Sequence, residues 1–324
     1  PVCVTPAATI DAALALARRP GVILCSYGDM LRVPGSSATS LLTLRAEGAD
    51  VRLLTSPLQA LAIARAHPDR EVVFLAVGFE TTAPATAVLA LAVRTEGLAN
   101  LSLLTAHVRV APAMEALLQP DAGSPDPLCA VQGFLAAGHV CGVIGTTELE
   151  ELVERRALPV VVSGFEPLEL MRAILACVRL LEAATPRLLN AYDPVVRPEG
   201  NPAARALLAE VFAVVDQPWR GLGLIPGGGL ALRESYAASL DAGRRFPRPG
   251  AFGSPRGGIA SPIPEADPAS ASGPCIAAAI LRGQAIPLQC PAFGQGCTPE
   301  HPLGAPMVSS EGACAAYHLS LIHI

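Results

Sequence analysis

The sequence predicts an α/β fold with a smaller cysteine-rich unit at its C-terminal end, and three observations carry that prediction. Short Val-, Leu- and Ile-rich runs alternate with longer amphipathic stretches, the pattern of buried parallel strands joined by helices. Several runs end in Gly-containing turns with an acidic residue, as in Tyr27-Gly28-Asp29 and Gly78-Phe79-Glu80. Open parallel sheets place their binding groups at such strand ends. Four of the nine cysteines then fall within residues 275–314, in sequence rich in Gly, Pro and Ser.

In order, Val22-Ile-Leu-Cys25 is expected as a strand running into Ser26–Asp29, and Val51–Thr55 as a strand before a helix over about 57–67. Val72–Val77 ends at Gly78-Phe-Glu-Thr-Thr82, with Pro84 near the start of the next helix, and Leu101–Leu104 runs on to His107 before a helix from Pro112. In the second half, His139–Ile144 is expected as a strand meeting a helix start at Gly145-Thr-Thr147. Pro159–Val162 ends at Ser163-Gly-Phe-Glu-Pro167, followed by a helix to about Leu181. A helix to about Val214 follows Arg197–Asn201, and the glycines of Arg220–Gly229, lacking dinucleotide or phosphate-loop spacing, are expected as a tight turn before a helix. The two Gly-Phe-Glu segments sit at equivalent places, as in two similar parallel-sheet domains; a three-residue match also arises by chance, and the pattern leaves both readings open.

The composition narrows the function classes. Apolar residues make up 51% of the 324 and charged residues 16%, so the chain has ample material for more than one core. A net charge of −5, with no Lys/Arg cluster interleaved with aromatics, argues against nucleic acid as a partner. No apolar run reaches membrane-spanning length. Nine cysteines without a secretory signal point to a reducing cytoplasm with metal-bound or reactive thiols, not to a disulfide framework.

Cys275, Cys290, Cys297 and Cys314 are separated by fourteen, six and sixteen residues. Four thiolates around one centre suit an iron–sulfur cluster or zinc, and buried thiols that merely lie close in sequence are the plain alternative. Loop-like flanks and Pro291 directly after Cys290 favour a metal, and the lack of tight cysteine pairs favours a cluster over zinc. Cys25, Cys129, Cys141 and Cys177 lie in or beside apolar stretches and are expected as small buried residues. Asp29 and Glu80 at strand ends are candidates for binding or for helix capping, and His107 and His139 for structural hydrogen bonding. Glu300 and His301, just after Cys297, are candidate partners of the metal's ligands.

A family resemblance runs through these motifs. Tyr27–Ser36, Val77–Pro84, Gly138-His-Val140, Val162–Pro167, Val196–Pro202, Trp219–Gly227, Cys297-Thr-Pro-Glu300 and Met307–Cys314 resemble, in order, the HypD family of hydrogenase maturation factors. The resemblance implies two similar parallel-sheet α/β domains, here 1–110 and 111–245, a linker over 246–274, and a smaller iron–sulfur domain over 275–324. It implies a [4Fe-4S] cluster on Cys275, Cys290, Cys297 and Cys314. It also implies a cytoplasmic scaffold for the Fe(CN)2CO unit of [NiFe] hydrogenases, working with a small HypC-type chaperone and a HypE-type cyanide donor. Cys3 falls on the second cysteine of the family's Cys-Pro-Val-Cys motif, and as a thiolate it would ligate a transient Fe(II) carrying CN and CO. Asp29 and Glu300 match family positions that would orient or protonate groups around that iron.

The chain departs from the pattern in places. The first cysteine of that motif would precede Pro1, an upstream Cys-Gly-Thr-His segment is absent, Ala137 stands for a usual proline, and Pro306 stands where relatives carry another cysteine. Residues 319–324 read as adapter-derived sequence, so the chain is expected to be a fragment lacking most of its iron site, and a third reading is that this fragment is not functional as it stands. The alternative function is an α/β enzyme acting on a small anionic metabolite through Asp29, Glu80 and His139, with a structural zinc on the four cysteines.

Overall fold

The computed structural model describes residues 1–37, 39–119, 131–247 and 275–322. Cys129 and almost all of the expected linker lie outside the described residues. The first α/β unit is built from α1 (Ala7–Ala17), β1 (Val22–Ser26), α2 (Leu41–Ala46), β2 (Val51–Leu53), α3 (Leu58–Ala66), β3 (Glu71–Gly78), α4 (Ala83–Glu96) and β4 (Leu101–Val108). These four strands pair in parallel in the order β2-β1-β3-β4. Alternate strand residues enter different cores: Ile23, Phe74 and Leu103 pack beneath α3 and α4, whereas Leu24, Val73 and Leu75 pack beneath α1 and α2. Burial on both faces is why these strands are apolar runs without polar alternation.

Helix α5 (Val110–Leu117) leads to the second unit: β5 (Phe134–Ala137), α6 (Gly138–Ile144), α7 (Thr147–Arg156), β6 (Val160–Ser163), α8 (Pro167–Glu182) and β7 (Leu188–Asn190). Its three strands are parallel in the order β5-β6-β7. The expected strand at His139–Ile144 is instead helix α6, and the strand lies just before it. A short apolar run fits either element; here Gly138 sits so close to the Ser163 carbonyl, 2.6 Å from where its Cβ would be, that the chain turns off the sheet at that point.

The chain then returns to the first sheet. After α9 (Pro202–Val211), capped by the Asn201 side chain, β8 (Phe212–Trp219) and β9 (Gly223–Leu232) form an antiparallel hairpin. β9 pairs antiparallel with β4, giving a six-stranded order β2-β1-β3-β4-β9-β8. The helix expected to reach Val214 therefore stops at Val211, and the glycine-rich Arg220–Gly229 is a hairpin turn and strand in place of a turn before a helix. Gly229 is required there, since a Cβ would lie 2.6 Å from that of Gln217 on the facing strand. The expected division at 110/111 does not coincide with this pairing, because residues 212–232 complete the first sheet. Two helices, α10 (Glu234–Leu240) and α11 (Ala242–Arg245), pack back on it.

The two Gly-Phe-Glu segments do end corresponding strands. β3 and β6 each lie between two parallel neighbours, and each runs through Gly-Phe-Glu into a helix with proline in its first turn. Helix α5 joins the units, with Ala113 packed towards the hairpin and Ala111 and Met114 in the second unit's core.

The cysteine-rich segment has little regular structure: α12 (Ala277–Leu281), 3-10 turns at Pro287–Gln289 and Ala305–Met307, and α13 (Ala313–Ile322). Its own small core gathers Ile280, Ala292, Met307 and Ala315 with Cys290, Cys297, Cys314 and Phe293. Val308 reaches into the first unit's core, and Arg32 donates to the Pro299 carbonyl at 2.5 Å.

Candidate metal centre

Local chemistry holds the cysteine-bearing loops. Gly294 takes a positive φ of 72°, closing the Phe293–Cys297 turn, and its N–H donates to the Cys297 carbonyl at 3.0 Å. The Leu303 N–H donates to Cys297 Sγ at 3.2 Å, the kind of bond that stabilises a thiolate or a cluster sulfur. Gly304 lies against Cys275, where a Cβ would sit 2.5 Å from Sγ.

The four thiols are near enough to act on one another. Burial pushes the Cys275 thiol up, and the charges of Cys290 and Cys297 add to this while Arg220 opposes them. Burial pushes Cys314 up to about 12, followed by the charges of Cys275, Cys297 and Cys290, and then Cys3. At Cys275 and Cys314 burial and the neighbouring thiolates both disfavour a bare thiolate, and a positive centre among them would offset that repulsion. Among the described residues, no three His, Cys, Asp or Glu side chains are gathered as tightly as a single metal ion requires.

The N-terminal turn packs on this centre. Val2–Val4 forms a 3-10 turn against Ala305–Met307, tied down by the Arg220 N–H to the Val4 carbonyl at 2.8 Å. Arg220 also donates to the Pro34 carbonyl at 3.2 Å, so one residue of the β8–β9 turn touches the Cys3 turn and the loop after β1. Cys3 is half-buried beside Phe79, Trp219 and Leu222, and burial raises its pKa, with the Glu311 charge adding to the effect. Asp29, exposed after β1, and Glu311 both lie close to Pro1 at the start of this turn.

Chain order thus hides the neighbourhood of Cys3. Glu311, within the Ser-Ser-Glu-Gly-Ala-Cys segment, acts on Cys3 and on His139, which stacks on Phe165 at 4.9 Å between ring centroids. The sequence marks that segment through Cys314 and its place in the family motif, and nothing local singles out the glutamate. Glu300 stands elsewhere: it is fully exposed, held low by backbone and Thr298 hydrogen bonds, and its charged neighbours are His318 and Arg32. His301 closes the same exposed turn through its N–H to Thr298 Oγ1 at 3.2 Å.

The other candidates have structural partners. Glu80 is buried and accepts the Val110 N–H at the start of α5 at 3.1 Å; burial raises its pKa to about 7 despite that bond and Arg109. His107 is fully buried, its Nδ1–H directed at the Gly78 carbonyl at 3.4 Å and its Nε2 accepting from Thr86 at 3.1 Å, and burial lowers its pKa to about 4. Cys25 and Cys141 are buried and Cys177 is half-buried, as expected of packing residues. No described helix is long and apolar enough to cross a membrane.

Comparison with known proteins adds a further observation. Residues 1–320 match a family profile, HypD, described as the hydrogenase formation hypA family. The chain is 45% identical over 319 residues to the hydrogenase maturation factor HypD of Rhizobium leguminosarum bv. viciae, covering 98% of this chain and 78% of the relative. It is 44% identical over 319 residues to the hydrogenase expression/formation protein HupD of Azotobacter chroococcum mcd 1, with 98% and 79% covered. To the Escherichia coli K12 hydrogenase maturation factor HypD it is 39% identical over 323 residues, with the same coverage.

Proposed function

The chain belongs to the HypD family of hydrogenase maturation proteins, and we propose that in this process it is a cytoplasmic scaffold on which the Fe(CN)2CO unit of a [NiFe] hydrogenase is assembled. The observation that carries the proposal is the meeting of Cys3 with the four-cysteine centre, sensed as the charge of Cys3 on Cys314 and built by Val2–Val4 packing on Ala305–Met307.

In this reading Cys275, Cys290, Cys297 and Cys314 hold a [4Fe-4S] cluster. The apolar wall of Ile280, Ala292, Met307 and Ala315 keeps it from water, and the Leu303 N–H steadies one sulfur. The lack of tight cysteine pairs in the sequence supports a multi-iron cluster over the structural zinc of the alternative reading. Bound there, a cluster supplies one-electron redox capacity beside the Cys3 thiol. The substrate is an Fe(II) ion that receives CN and CO. Cys3 would bind it as thiolate once the metal's charge offsets the burial that now keeps the thiol protonated. Glu311, whose charge acts on Cys3, and Asp29, exposed after β1, would orient groups around that iron. Arg220 fixes the turn that carries Cys3. A small HypC-type chaperone and a HypE-type cyanide donor complete the proposed system as partners.

Anaerobic reconstitution with iron and sulfide tests the centre. The full chain should develop thiolate-to-iron absorption near about 400 nm, and Cys290→Ser or Cys297→Ser should abolish it. Stoichiometric zinc binding with no iron–sulfur absorption would overturn the cluster.

A further inference from the structure

Helix α8 turns an unusually apolar face to solvent. It meets its sheet through a narrow seam of small and aliphatic residues, Ala173, Ala176, Cys177 and Leu180. On the other side Leu168 is 60% exposed and Met171 64%, with Ile174, Leu175, Val178 and Leu181 also exposed. Leu168, Met171, Leu175 and Val178 are spaced three, four and three residues apart, the 3.5-residue repeat by which one helix lies along another. Ile174 and Leu181, seven apart, widen the stripe. With Phe165 these side chains offer on the order of 700 Å² of apolar surface, near the ~800 Å² that one side of a standard protein interface contributes. The helix is preformed for such use, with Pro167 in its first turn and a reciprocal Glu166–Glu169 capping box.

The charges beside the stripe specify its occupant. Arg172 and Arg179 are exposed along one edge, seven residues or two helical turns apart, and neither is paired with a described residue. The acidic side chains of α8 lie at its ends, Glu166 and Glu169 at the start and Glu182 at the finish. We propose that α8 is the docking face for an amphipathic helix of a partner protein whose apolar seam is flanked by carboxylates two turns apart. Desolvated along a packed seam, each Arg–carboxylate pair adds orientation to the apolar contact. The docked helix would start beside the candidate metal centre, because Phe165 heads the stripe and stacks on His139, on which Glu311 acts. The surface stands independently of whether the thiols hold metal.

The test uses the full chain and two labelled synthetic helices of roughly six turns, identical in their Leu seam, one with Glu and one with Lys flanking it at seven-residue spacing. By fluorescence anisotropy the Glu helix should bind at least about tenfold more tightly than the Lys helix, a difference of ~1.4 kcal/mol. Arg172→Glu with Arg179→Glu should reverse that order. Met171→Glu, at an exposed position where circular dichroism should be unchanged, should weaken both by about tenfold or more. Equal affinity for the two helices, or binding of neither, overturns the proposal. So does sedimentation of the chain as a dimer that Met171→Glu dissociates, which would make a second copy the occupant. Binding to phosphatidylglycerol vesicles that Met171→Glu abolishes, with no preference between helices, would assign the face to a membrane surface.

Discussion

At the scale of single residues, the centre depends on atoms that sequence spacing does not encode. The four cysteines and Cys3 could be picked out from their types and surroundings; Glu311 could not, because its relation to Cys3 exists only after the two ends of the described chain meet. If that relation matters, Glu311→Gln will depress hydrogenase maturation in a complementation assay more than Glu300→Gln, whose carboxylate is fully exposed and faces His318 and Arg32. Equal loss in the two variants would reject the ranking. Gly304 offers a second discrimination. A methyl group there would stand 2.5 Å from Cys275 Sγ, whereas at Gly296 the nearest atom is 4.0 Å away. Gly304→Ala should lose most of its reconstituted iron with unchanged far-ultraviolet circular dichroism, and Gly296→Ala should retain it, both measured by iron analysis.

At the scale of elements, the strands β1, β3 and β6 and the helices after them were legible because two-sided burial leaves an apolar run and the strand ends carry Gly and Pro. The misread segments are those where tertiary contact decides. His139–Ile144 is apolar enough for a strand but follows a glycine pressed against Ser163, and in Arg220–Gly229 three glycines take positive φ while Gly229 crosses Gln217 closely. A comparable close approach joins α6 to the loop before α9. Gly145 has φ 84°, and a Cβ there would meet the Pro198 carbonyl at 2.1 Å. Gly145→Ala should therefore cost about 2–4 kcal/mol in chemical denaturation, from strain and clash together. The β3–α4 and β4–α5 junctions carry opposing titrations. Glu80, raised to about 7 in the fold, contributes stability present below its unfolded pKa near 4.5 and lost as pH rises towards 7. His107, lowered to about 4, contributes stability present above its unfolded value near 6.5 and lost as pH falls. Between about pH 4.5 and 6.5 the two slopes oppose each other. In Glu80→Gln the His107 slope should stand alone, so denaturation midpoints should rise with pH through that window more steeply than in the parent. A parallel pair of profiles would show that Glu80 is not the group responsible.

At the scale of the whole molecule, α/β architecture was readable from alternation, but the return of the chain to its first sheet was not, since antiparallel completion by β8 and β9 is a long-range pairing with no local signature. Arg109 spans the resulting junction, donating to the Gly227 carbonyl of β9 at 2.8 Å and to Glu148 of α7 at 2.5 Å. Arg109→Ala should lower stability by about 1–3 kcal/mol and split one calorimetric transition into two as the units uncouple. A single unsplit transition would show that α5 packing alone holds them. The same return has a consequence for synthesis on the ribosome. When β4 emerges its outer edge has no strand to pair with, and β9 follows only about 120 residues later, several seconds at ordinary elongation rates. During that interval the second unit can form in full while the first waits with an apolar edge open, which places the hazard of aggregation early in translation. Nascent chains stalled at residue 211 should therefore engage chaperones that release those stalled near residue 322, where β8 and β9 have left the exit tunnel and can close the edge.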